Sequence, residues 1–245
     1  MRNRTVSVAM AVCNGEKYLS EQIDSIINQL NDDDELIISY DPSKDNTLDI
    51  IKEYENNDKR IHVLINNDHS KGLVSNFDNA LSACSKDIIF YSDQDDVWLP
   101  GKIDKMVSCF SNPKVAVAIH DAMIVDENLK VIIESTFKLR GGSTKFWKNF
   151  IRLSYIGCSM AFRSDLLPVV RPLPTKKRSF DWWTGSICSC YGKMAMINES
   201  LILHRMHNNN ATPKKRPPLS YQVSVRWTIL FNILKRKIFC KRIYS

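Results

Sequence analysis

The sequence has no run of about 18 uncharged apolar residues, so no segment reads as a membrane-spanning helix. Its opening, MRNRTVSVAMAV, lacks the small-residue cleavage pattern of a signal peptide and turns polar at Cys13-Asn14-Gly15. A cytoplasmic setting is expected, with any membrane contact made from the surface. Glycine is scarce, at eight in 245 residues, and the turn after the first apolar run, CNGEKYL, carries neither GxGxxG nor GxxxxGK[ST]. A nucleotide held through a metal therefore fits better than one held by a glycine cradle. The seven cysteines are odd in number and scattered, and Cys188 and Cys190, two apart, would point away from each other on a helix. Reduced, buried thiols are expected instead of a disulfide framework. Internal repeats and low-complexity segments are also absent.

Acidic residues stop at Glu199. Up to that point there are 24 Lys and Arg against 27 Asp and Glu, whereas from residue 200 onward there are ten Lys and Arg and no acid. The net charge of +7 therefore belongs to a tail, and two segments with different tasks are expected: a domain over 1–212 and a basic tail over 213–245. An apolar fraction of 44% is enough for that domain to bury a core.

In the first half, short β-rich apolar runs alternate with helical spacing. Residues 6–12, 35–40, 60–66 and 87–92 read as buried strands. Between them, Leu19, Ile23, Ile26, Ile27 and Leu30, then Leu48, Ile51 and Tyr54, then Leu73, Phe77, Ala80 and Leu81 recur at i, i+3 and i+4. Such alternation gives right-handed crossovers and a mostly parallel sheet with flanking helices, an α/β fold of Rossmann-like type. Its ligand crevice lies outside the carboxyl ends of the strands.

The fourth strand ends there in SDQDD, which brings Asp93, Asp95 and Asp96 together. Like charges losing water at one place are costly unless a cation offsets them, and a hard divalent ion, Mg²⁺ or Mn²⁺, suits oxygen ligands with open positions for phosphate. A second reading is that Asp96 caps a helix starting near Pro100. Both can hold. In SYDPSKDNT, after the second strand, Asp41, Pro42 and Ser43 sit where a base or ribose would be held, while Asp45 and Asn46 lead into the next helix as caps.

Together VSVAMAVCNGEKYLSEQIDSI, the turn after strand two, SKGLVSNFDNAL and SDQDDVWLPGKI resemble a family 2 glycosyltransferase of the GT-A fold, of the bacterial cell-surface polysaccharide type. The likeness covers roughly the first 210 residues. It implies a metal-dependent, inverting hexosyltransferase using a UDP- or dTDP-sugar, with a polyprenyl-diphosphate-linked saccharide as acceptor. Residues up to about 110 would form the nucleotide-sugar and metal half, and 111–212 the acceptor half. Carried over by position, Asp93 and Asp95 are the DxD pair and Asp96 the extra acid, with Asp41, Lys71, Asn76, Asp93 and Arg205 around the nucleotide diphosphate. The strand-two turn departs from the family pattern of two acids and a Gly, because Tyr40, Asp41 and Pro42 stand there; Tyr40 has no carboxylate to offer a base.

The same resemblance makes IGCSMAFRSDLL the acceptor side, with Gly157 allowing close backbone approach, although an internal strand running into a helix reads equally well. In SFDWWTGSICSCYG it implies that Asp181 is the general base, with Trp182 and Trp183 as apolar surface and sugar platform; the plain reading is an N-cap on a helix over 182–191. LILHRMH implies Arg205 near the diphosphate and His207 as a metal ligand, with His204 replacing the usual Tyr.

In the tail, Trp227, Leu230, Phe231, Leu234 and Ile238 form one stripe among basic residues, which reads as a helix on an anionic membrane surface or as a helix packed on the domain. Three alternatives are weaker. A sugar-nucleotide nucleotidyltransferase would carry a Gly-rich basic loop after strand one. A nucleic-acid binder would interleave aromatics with its basic residues, so no nucleic-acid partner is expected. An inactive nucleotide-sugar-binding relative would lack the carboxylate base.

Overall fold

The computed structural model describes residues 2–66, 72–152, 155–174, 180–207 and 218–243. Chain order is β1 (Val6–Val12), α1 (Leu19–Ile27), β2 (Glu35–Tyr40), α2 (Thr47–Asn57), β3 (Ile61–Ile65), α3 (Leu73–Ala83) and β4 (Ile88–Ser92), close to the expected alternation. There follow β5 (Val97–Trp98), α4 (Lys102–Ser108), β6 (Val115–Val125), β7 (Val131–Ile133), α5 (Thr136–Arg140) and α6 (Phe146–Arg152). The chain continues with β8 (Met160–Arg163), α7 (Leu167–Val170), α8 (Phe180–Cys188), β9 (Lys193–Arg205) and α9 (Leu219–Ile243).

One sheet runs in the order β3-β2-β1-β4-β8-β6-β9-β5, with β7 added to β6. The β3-β2-β1-β4 half is parallel, as strands joined by crossover helices must be. The other half is mixed: β8 runs antiparallel to both β4 and β6, while β6 and β9 are parallel. The expected mostly parallel sheet therefore holds for the first half only, because apolar runs reveal strands but not their direction.

Side-chain alternation along β1 divides the core. Val6, Val8, Met10 and Val12 pack on Leu19, Ile23 and Ile26 of α1, whereas Ala9 and Ala11 face Phe77 and Ala80 of α3. Both faces are covered, which is why β1 and β4 read as continuous apolar runs. The second cluster extends through Phe162, Phe180 and Trp183 to Val225, Ile229 and Ile233 of α9. The tail helix thus docks on the domain.

Candidate active site

β4 and β9 hold the acidic loop between them. Val97 and Trp98 of β5 pair with Leu203 and Ile202 of β9, so the residues just before β5 are strapped to the end of β9. Asp96 is fully buried; its Oδ1 accepts from Arg205 N at 3.0 Å and from His204 Nδ1 at 2.9 Å. Burial pushes Asp96 up, but the His204 charge and hydrogen bond, the Cys158 thiol and the Arg205 amide outweigh it and hold the carboxyl below its ordinary value. Against its own burial, His204 is raised by Asp96. The two form an ion pair beneath the loop. Asp96 does not cap α4, whose N-cap is Gly101 at φ 79° with no side-chain bond.

Asp95 faces the other way. His207 Nε2 lies 2.8 Å from Asp95 Oδ2, and the His207 ring stands 5.1 Å from that of Tyr18. Burial, then the Asp96 charge, raises Asp95 against the pull of His207. Asp93 is pushed up to about 8, first by burial and then by the charges of Asp96 and Asp95. At neutral pH Asp93 therefore keeps its proton unless a cation takes the place of that positive charge. At the rim Asp95 and His207 offer a carboxylate and an imidazole, donors that suit a hard divalent cation. Asp96 instead lies with Cys158 and His204 in an inner group whose ligand atoms fall within 4.8 Å of one another, a softer donor set. Among the described residues that inner group is the one whose donors lie close enough together to share an ion, and it includes Asp96 of the three aspartates expected as ligands.

Arg205 also departs from expectation. It is 3% exposed, and its Nε donates to the Asp95 carbonyl at 2.9 Å while Nη1 donates to the Glu127 carbonyl at 2.8 Å. It pairs with Glu21 and stands 4.4 Å over the Tyr18 ring. Instead of reaching for a diphosphate, it props up the backbone that aims Asp95.

On the other side of the crevice, Asp41 is buried; Oδ1 accepts from Asn66 Nδ2 at 2.7 Å and Oδ2 from Gly72 N at 3.2 Å. Asn76 donates to the Val12 carbonyl at 3.0 Å, closing the end of β1. Ser43 Oγ accepts from Asn14 N at 2.8 Å, locking two turns together. Asp45 accepts from Thr47 N and Glu16 N, while Asn46, at the N-cap of α2, makes no side-chain cap bond and donates to Glu16 instead. Lys71 lies outside the described residues. Gly15 has its own reason: a Cβ there would meet Gln94 Oε1 at 2.8 Å, where Gln94 brackets the Cys13 backbone. That glycine makes room for the acidic loop, not for a phosphate.

Asp181 sits in the first turn of α8, which begins at Phe180 and not at 182. It is half-buried, its Oδ1 accepts from Trp182 N at 2.8 Å, and its helix packs on β4, with the Tyr91 hydroxyl 2.9 Å from Thr184 Oγ1. Gly157 begins a tight turn before β8, and a Cβ there would strike the Phe180 ring at 2.8 Å and come within 3.7 Å of Asp181 Cβ. The close approach is real, but it seats Asp181. Trp182 is half-buried on the core, whereas Trp183 is wholly buried and donates from Nε1 to the Val170 carbonyl at 2.8 Å. Trp183 is a core residue and no sugar platform.

Lys102 escaped the sequence reading. It is fully buried, donates from Nζ to the Cys158 carbonyl at 2.7 Å, lies 3.9 Å over the Trp98 ring, and is lowered to about 7 by burial. Its signal was present: Lys102 lies in the same register as Ile103, Met106 and Val107 on the buried side of α4.

The profile of the family described as Glycosyl transferase family 2 matches residues 7–204. The dTDP-rhamnosyl transferase RfbG of Shigella flexneri is 36% identical over 216 residues, covering 82% of this chain and 72% of its own. The Escherichia coli UDP-Glc:alpha-D-GlcNAc-diphosphoundecaprenol beta-1,3-glucosyltransferase WfgD is 30% identical over 128 residues, 52% of this chain and 49% of its own. Among solved structures, S. aureus TarS 1-349 with UDP-GlcNAc superposes with a TM-score of 0.74 at 18% identity, covering 94% of this chain and 66% of that one. The chain thus spans between about half and three quarters of the lengths of these proteins. The likeness to TarS extends through the mixed half of the sheet. With the family profile running from β1 almost to the end of β9, the chain belongs to the family 2 glycosyltransferases, on the GT-A fold.

Proposed function

We propose that the protein transfers a sugar from a UDP- or dTDP-sugar to a polyprenyl-diphosphate-linked saccharide in surface polysaccharide synthesis, with inversion at the anomeric carbon. The observation that carries this reading is the packing of α8, which bears Asp181, on β4, whose end is the acidic loop: the Phe180 and Tyr91 rings lie 5.1 Å apart and the Tyr91 hydroxyl 2.9 Å from Thr184 Oγ1. Asp181 takes the proton of the acceptor hydroxyl as its oxygen attacks the anomeric carbon, and the nucleoside diphosphate leaves on the far side. A bound Mn²⁺ or Mg²⁺, held by Asp93, Asp95 and His207, would neutralise the leaving diphosphate. Asp41 would receive the base: its oxygens accept from Asn66 and Gly72, and each would keep a lone pair for the imide N–H that uracil and thymine share. The donors named for RfbG and TarS and the lipid-linked acceptor named for WfgD support those classes. Such an acceptor favours a peripheral position on the cytoplasmic face of the membrane, through the basic segment 219–245.

Asp181→Asn keeps size and hydrogen bonding but cannot take a proton. Transfer should fall by roughly a hundredfold or more with donor affinity unchanged. Product of retained anomeric configuration by NMR, or an Asn variant with parental turnover, removes Asp181 from the role. The nucleotidyltransferase alternative would show instead as nucleoside triphosphate consumption in the same assay.

A further inference from the structure

α9 carries apolar side chains on opposite sides. Val225, Ile229 and Ile233 are buried against the domain, whereas Trp227 and Phe231 are 68% and 67% exposed, with Val223 and Leu234 exposed beside them. Positions 223, 227, 231 and 234 run along one side of the helix. On α6, Trp147 and Ile151 are each 63% exposed. The two helices adjoin: the Arg226 guanidinium, one residue from Trp227, donates to the Ile151 carbonyl. Single exposed apolar residues need no explanation, but four large ones on two adjoining helices do.

Charge narrows what can cover it. α6 holds Lys148 and Arg152 and no acid, and α9 has six Lys and Arg and no acid. A second copy of this face would bring like charges together. A bilayer offers hydrocarbon and anionic headgroups at once.

We propose that α6 and α9 form one composite face that lies in the headgroup layer of an anionic bilayer, with Trp147 and Trp227 as its anchors. Tryptophan suits that depth because its ring is apolar and its N–H prefers the wet side. The proposal rests on the membrane reading of 219–245 given above and extends it to a distant part of the chain. It also links membrane to chemistry, since Phe150 of α6 and Val225 and Ile229 of α9 share a core cluster with Phe180 and Trp183 of α8, the helix that bears Asp181. Docking would hold Asp181 at a set height above the lipid.

The test is sedimentation of the full chain with phosphatidylcholine vesicles, with and without phosphatidylglycerol, for the parent, Trp147→Ser/Ile151→Ser and Trp227→Ser/Phe231→Ser. Each double variant should lose roughly tenfold or more in partitioning onto the anionic vesicles. Thermal midpoints should stay at the parent value, because the replaced side chains are solvent-exposed. Parental binding by Trp147→Ser/Ile151→Ser, with loss in Trp227→Ser/Phe231→Ser, overturns the composite face and leaves the tail reading standing. A parent that ignores both kinds of vesicle overturns both. Dimerisation of the parent by ultracentrifugation that Trp227→Ser/Phe231→Ser abolishes, without vesicle binding, assigns the face to a second copy and overturns the proposal.

Discussion

Lys102 sits on the buried side of α4 with Ile103, Met106 and Val107, and its ammonium is sealed between the Cys158 carbonyl and the Trp98 ring. Its ordinary value of 10.5 is lowered to about 7 in the fold because burial disfavours the charged form. From about pH 7 to 10.5 the unfolded chain keeps this proton while the native chain releases it, so this group makes stability rise with pH through that window. Below it, the cost of burying the charge is present in full. Lys102→Met abolishes the contribution: the difference in unfolding free energy between parent and variant, by urea titration at several pH values, should shift toward the parent as pH rises. Buried thiols away from Lys102, such as Cys188, raised in the fold, act in the opposite sense but are common to both proteins and cancel. A pH-independent difference would mean that Lys102 is not buried as a charge. At this scale the sequence pointed to one neighbourhood for Asp95 and His207, and the fold brings them within 2.8 Å. Residues were not legible where direction decides: nothing in HRMH tells that Arg205 turns under the loop while His207 reaches its rim, nor in DWW that Trp183 points into the core.

At the scale of elements, periodicity served well where a helix has one apolar face and poorly where it has two. α1 and α3 lie where the i, i+3, i+4 pattern put them. In α9 the pattern led to Trp227, Phe231 and Leu234, yet the stripe that docks is Val225, Ile229 and Ile233, which the sequence presents equally well. Only the shape of the α7–α8 surface chooses between them. Ile238 of the expected stripe lies beyond the side chains described. Ile229 is 2% exposed, so Ile229→Ala should destabilise the whole domain by about 2–4 kcal/mol in a single cooperative transition. A loss under about 0.5 kcal/mol, the size expected of an exposed position, would mean that α9 does not pack in solution. β9 teaches a similar lesson. It reads as an ordinary closing strand, but through its pairing with β5 it fixes the register of the acidic loop.

The molecule as a whole divides by charge and by strand direction. Every acid lies at or before Glu199, and those that matter gather where the parallel half of the sheet meets the mixed half, at the end of β4. This crossing point was legible because an α/β alternation dictates where loops converge; the antiparallel insertion of β8 was not, since nothing local distinguishes it from a parallel strand. The carboxylates concentrated there are expected to take a divalent cation, and binding to the native state alone would stabilise it. At a hundredfold excess over the dissociation constant, Mn²⁺ should add about 2.7 kcal/mol, which for a chain of this size raises the thermal midpoint by roughly 5–10 °C. Asp93, held up near 8, must lose its proton to take part, so the rise should be larger at pH 8.5 than at 6.5. Asp95→Asn should lose most of it while leaving the midpoint in EDTA near that of the parent. Equal midpoints in EDTA and in saturating Mn²⁺ for the parent, by differential scanning calorimetry at pH 8.5, would show that the carboxylates at the end of β4 hold no cation and that their charge is relieved by protonation alone.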